Sequence, residues 1–162
     1  MKNFIVLLLG IIFIIFENSV LNYMPIFEAT INLSLVYIIF ISLSLEKNEG
    51  AIIGLVMGIF KDILVGRFLG LNGLIFFVVG YILGVMKDKI FKDNIITVLV
   101  LVVFSTIFDC AIQFLMASYF VSTQSISKFL YKGMILIPLL HVVFTTLIYR
   151  FLRNFIKRID NI

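Results

Sequence analysis

The chain has 162 residues, 62% of them apolar and 14% charged, with no Trp and a net charge of +4. Soluble domains are roughly 45–50% apolar and about 25% charged, so this composition excludes an ordinary soluble fold and leaves an integral-membrane one. The basic excess does not point to nucleic acid, because Lys and Arg sit between apolar runs and at the C-terminus, where membrane proteins place them to set orientation.

A helix needs about 20 apolar residues to cross the hydrocarbon core. The first run, 4–21, follows Lys2 and carries Glu17 where a signal peptide would carry a small-residue cleavage site, so it reads as a retained helix. Glu17, near its outer end, is expected at the membrane interface. The second run spans 25–45, with Pro25 in its first turn, where a missing N–H costs nothing, and is densest from Leu33 to Leu45. The third, 51–65, is short and contains Lys61 and Asp62; a connection through Gly66, Arg67 and Gly70 leads to the fourth, 71–86. A charged loop over 87–94 precedes the long fifth run, 95–121, and a Ser-rich connection over 122–132 precedes the sixth, 133–151. The expected fold is all-α: one integral-membrane domain over 1–162, a polytopic bundle of about six transmembrane helices. The runs are continuous and do not alternate at period two, which argues against a β-barrel.

Orientation follows from Lys and Arg. With the N-terminus cytoplasmic, Lys2, Lys47, Lys87, Lys89, Lys92, Arg150, Arg153, Lys157 and Arg158 lie inside, and Lys61, Arg67, Lys128 and Lys132 outside. Both termini are therefore expected to be cytoplasmic. A five-helix count would put the basic C-terminus outside.

Gly50, Gly54 and Gly58 recur every four residues, and Asp62, Gly66 and Gly70 continue the spacing. Positions four apart stack on one helix face, so the glycines form a smooth groove with Asp62 at its outer end. Small residues at this spacing let helix backbones approach closely. Gly73, Gly80 and Gly84 offer a second, looser set. The groove serves either packing within the bundle or docking of a partner helix. Asp62 either caps the following connection or makes a functional polar contact, since carboxylates near hydrocarbon often mark function; Lys61 pairs with it or snorkels to the interface. Asp109 and Gln113 share a face of the fifth helix and need inward partners, for which His141 and Thr145 are candidates. Cys110 is the only Cys and His141 the only His, so no disulfide, metal site or cofactor is expected. The residues before Asp62 are Ile59, Phe60 and Lys61, not the Gly-x-Gly of intramembrane aspartyl proteases, and no hydrolase or phosphate-binding motif is present. No enzyme is expected.

The run from Gly54 to Gly73, GLVMGIFKDILVGRFLGLNG, with GYILG at 80–84, resembles the signature of the MreD family of bacterial rod-shape-determining membrane proteins. Length, helix number and the basic C-terminus extend the resemblance over the chain. Arg67 and Phe68 depart from the small residue usual after Gly66. The resemblance implies an inner-membrane scaffold in the cell-elongation (Rod) machinery that binds MreC and supports side-wall peptidoglycan synthesis and rod shape. RodA, a class B penicillin-binding transpeptidase and MreB belong to the same assembly. A lone MreC helix is then expected beside the third and fourth helices, over the glycine groove. The family is similar in architecture to the substrate-binding subunits of energy-coupling-factor transporters, and the alternative reading is a small-molecule-binding subunit of a vitamin transporter.

Overall fold

The computed structural model describes residues 2–19, 31–46, 48–65, 68–89, 94–121 and 126–160. They form six helices: α1 (Lys2–Ser19), α2 (Leu33–Ser44), α3 (Glu49–Val65), α4 (Leu71–Met86, with a 3-10 turn Lys87–Lys89), α5 (Ile95–Val121) and α6 (Ile137–Asp160). A single turn, Ile126–Lys128, and a π-helical stretch, Phe129–Leu136, lead into α6. No strand occurs among the described residues. A helix satisfies its backbone polar groups internally, which is what hydrocarbon demands. Among the described residues, four segments are long and apolar enough to cross a membrane: Lys2–Ser19, Leu71–Lys89, Ile95–Phe120 and Phe129–Asn154.

The short α2 is the hub. Every residue from Leu33 to Leu43 is buried, and each of the other five helices touches it. A helix apolar on all sides belongs in a core, and α2 fits that rule. Its 12 residues reach only about 18 Å at 1.5 Å per residue, well short of the hydrocarbon thickness. Tyr37 anchors it to α1: the hydroxyl donates to the carbonyl of Val6 at 2.7 Å, and the ring stacks on Phe13 at 5.1 Å between centroids.

Helices α3 and α4 cross with their backbones in contact, and the glycines are the reason. A Cβ on Gly54 would stand 2.6 Å from the carbonyl oxygen of Phe76, one on Gly58 2.5 Å from the backbone of Asn72 and Gly73, and one on Gly80 2.7 Å from the carbonyl of Gly50. The glycine groove is thus filled by the protein's own α4, and at Gly50 also by Ser42 of α2. Gly73 packs on Ile59, and Gly84 is buried on the same helix. Gly70 has a left-handed backbone with φ +88°, a conformation that disfavours any side chain.

Several expected boundaries move. The second helix begins at Leu33, not 25, because Asn32 caps it; Pro25 and residues 20 and 21 lie outside the described residues, as do Gly66 and Arg67. The third begins at Glu49. The sixth helical segment begins before Gly133 and runs through the basic residues to Asp160 rather than stopping at 151. Pro138 cannot donate to residue 134 and its ring crowds the carbonyl there; the wider π turns just upstream accommodate it.

Gly58→Ala should lower stability by about 1–3 kcal/mol, the usual cost of overpacking, because backbone cannot yield as a side chain can. A clear drop in the melting temperature of the detergent-solubilised protein is expected. Unchanged melting would show that the α3–α4 contact is looser than described.

Candidate functional site

Because α2 starts inside the bundle, its first N–H groups need partners that are not water. The sequence supplies them from two other helices and from the cap residue itself. Glu17, at the end of α1, accepts from the Ser34 N–H at 2.9 Å and its hydroxyl at 2.6 Å. The Asn32 side-chain oxygen accepts from the Leu35 N–H at 2.9 Å, as an N-cap does. The Asn32 N–H donates to Nε2 of His141 on α6 at 2.7 Å. Since Nε2 accepts, the neutral ring carries its proton on Nδ1, which donates to Thr106 of α5 at 2.8 Å.

Lys61 of α3 closes the network. Its ammonium lies 2.7 Å from Glu17 and 2.8 Å from the Asn32 oxygen, over the ring of Phe76 at 5.5 Å. Glu17 and Lys61 are each under a tenth exposed. A carboxylate at a helix N-terminus is favoured by the helix dipole, and the paired Lys61 balances its charge. Asp109 of α5 accepts from the Asn32 amide at 3.2 Å and the Gln113 amide at 2.8 Å. No cation among the described residues lies within ion-pair distance of it.

Asp62 belongs to a second arrangement. Gly70 precedes α4 but has no side chain to cap it, so α3 caps α4 in trans. Asp62 accepts from the N–H of Asn72 and of Gly73, each at 3.3 Å, and from the Asn72 amide at 2.6 Å.

Two cavities of about 380 and 360 Å³ lie beside these groups. Val65, Asn72, Cys110, Gln113 and Ile137 line both, so they are neighbouring parts of one chamber at the end of the bundle away from Lys2. One part is walled by Phe68, Phe114 and Phe129 beside Asp62, the other by Glu17, Asn32, Lys61 and Asp109.

The structure links the buried Asp109 and His141 through Asn32, with the exposed Gln113 bonded to Asp109. His141 does not bond Asp109 directly, and the Thr145 hydroxyl has no partner among the described residues. Glu17 is buried within the protein, held by Lys61 and the α2 N-terminus. Lys61 neither pairs with Asp62 nor snorkels, because Glu17 and Asn32 claim its ammonium. The sequence reading missed Asn32, Ser34, Asn72 and Thr106. One signal for Asn32 was present: Asn immediately before an apolar run is a helix start.

A family model described as rod shape-determining protein MreD matches residues 1–155. No curated protein and no solved structure matches the chain.

Lys61→Met should cost about 3–5 kcal/mol, because it leaves Glu17 buried without its cation. Adding Glu17→Gln to that variant should restore part of the loss, read as melting temperature in detergent. A double variant no better than Lys61→Met would show that the ion pair is not the reason for the loss.

Proposed function

The chain belongs to the MreD family of rod-shape-determining, multi-pass membrane proteins, and from that premise we propose that it is a non-enzymatic scaffold of the Rod machinery. In this reading it sits in the bacterial inner membrane with both termini cytoplasmic, binds MreC, and supports side-wall peptidoglycan synthesis by the assembly containing RodA, the class B transpeptidase and MreB. The family match over nearly the whole chain carries the proposal.

The fold supports contact through helix faces. Only residues 45–48 separate α2 from α3 in the sequence, which leaves little for a partner to grip outside the bundle. The glycine groove is taken by α4, so an MreC helix docks on the outward side of the α3–α4 pair. Ile52, Val56, Ile59 and Ile63 of α3 and Phe77 and Tyr81 of α4 are exposed there. The backbone contact between the two helices holds that surface rigid, which lowers the ordering cost of binding. Gly54 and Asp62 then act by shaping the dock, not by touching the partner. The chamber favours one second reading, a small-molecule-binding subunit of a vitamin transporter.

Affinity purification of the tagged full chain from its own membranes in mild detergent tests this. MreC should be recovered in stoichiometric amount, and Phe77→Ala with Tyr81→Ala should reduce its recovery several-fold at unchanged protein level. Recovery of a transporter's ATPases and coupling subunit in place of MreC would overturn the scaffold reading.

A further inference from the structure

The outward side of α6 ends in arginine. Residues 133–149 carry no Lys, Arg, Asp or Glu, and at 1.5 Å per residue they span about 25 Å, close to the thickness of the hydrocarbon core. Along that span the helix has two distinct sides. His141, Thr145, Tyr149 and Leu152 are buried in the bundle. Leu139, Val143 and Leu147 are exposed, and Arg150 continues their line, since positions three and four apart share a helix face.

An exposed apolar stripe on a membrane-crossing segment is covered by acyl chains, so the first charged group beyond it lies at the depth of the headgroups. Arg150 is exposed and has no ion-pair partner among the described residues. Arg153, one turn on, lies with its guanidinium over the ring of Tyr149, 5.9 Å from the centroid. Asn154 is exposed on the same face as Arg150, and the helix continues to Asp160 through Lys157 and Arg158. The local balance is basic. α6 packs on α2 and α5, and α5 carries no acid before Asp109. The described acids at this end of the bundle, Glu46, Glu49 and Asp88, belong to the α2–α3 connection, the start of α3 and the end of α4. A guanidinium is the side chain best shaped to hold a phosphate, through two parallel N–H bonds. Basic clusters next to a membrane-crossing helix are drawn to anionic lipid.

We propose that the outward face of α6 at Arg150 and Arg153 binds the headgroup of an anionic phospholipid, with an acyl chain along Leu147, Val143 and Leu139. The two guanidinium groups hold the phosphate, and the Asn154 amide meets the polar remainder of the headgroup. A zwitterionic headgroup brings a cation of its own into this basic cluster and is disfavoured. Phosphatidylglycerol brings only hydroxyls beside its phosphate. The site is on α6, away from the α3–α4 surface, so the proposal is independent of the scaffold reading.

The test is native mass spectrometry of the detergent-solubilised full chain, with phosphatidylglycerol and phosphatidylcholine of identical acyl chains added at equal concentration. Phosphatidylglycerol should bind at least about fivefold more tightly, the factor for one cation beside an anionic headgroup at about 1 kcal/mol. Arg150→Gln with Arg153→Gln should bring the two lipids to similar affinity. Lys132→Gln, at the opposite end of the same uncharged span, should leave the preference as it is. Equal binding of the two lipids by wild type, an unchanged preference in the double variant, or loss of the preference in Lys132→Gln would each overturn the proposal. If the double variant does not fold, Arg150→Gln alone replaces it, because an exposed side chain can be changed without disturbing the core; the same loss is expected and an unchanged preference is the contrary result. Soluble glycerol 3-phosphate should not compete. Displacement of phosphatidylglycerol by it, against chloride at equal ionic strength, would show a site for free phosphate and overturn the assignment to lipid.

Discussion

A helix that begins inside an apolar bundle must have its first N–H groups satisfied by protein. That requirement at Leu33 organises the rest of the molecule. Glu17, Asn32 and His141 meet it from α1, the cap position and α6. Each brings a requirement of its own: Glu17 needs a cation, Asn32 has a further amide to place, and His141 needs a partner for its second nitrogen. Lys61, Asp109 and Thr106 answer these in turn. A buried polar network is favourable only when nearly all its members are paired, and this one ties five helices to a common geometry.

The α3–α4 pair connects that network to the surface. Lys61 and Asp62 are consecutive, so they point in different directions from α3. Lys61 reaches back to α1 and α2, while Asp62 turns to the start of α4. Close approach at Gly54 and Gly58 is what brings Asp62 within reach of Asn72 and Gly73. A distortion of the glycine crossing is therefore felt at the cap, and through the neighbouring lysine at the N-terminus of α2. A docking surface on the outside of α3 and α4 rests on a frame held at both of these points.

How much of this could be read from the sequence depended on whether the signal was local. The limits of α4 and α5 were legible because the charged stretch 87–93 divides two long apolar runs, and Gly70 and the polar residues 122–125 bound them at their other ends. Glycine spacing identified a close helix contact on α3, but not its occupant, since any small-residue face suits an internal or an external helix equally. Asp109 and Gln113 were legible as a pair because they stand four apart on one helix. The burial of Glu17 against Lys61 was not legible, because its cation is 44 positions away. The start of the sixth helical segment was hidden by a Ser-rich composition that resembles a loop, whereas Phe129 packs on Phe114 and draws the chain into helix early.

The central functional claim is that the outward side of α3–α4 holds MreC in the membrane. It is tested most directly by a photo-crosslinking residue placed at Ile59 in living cells, with one at Leu147, exposed on α6, as the reference. The account predicts a crosslink to MreC from position 59 and none from position 147. Crosslinks to MreC from position 147 alone would move the dock to α6, and a product containing a transporter subunit from either position would contradict the scaffold account itself.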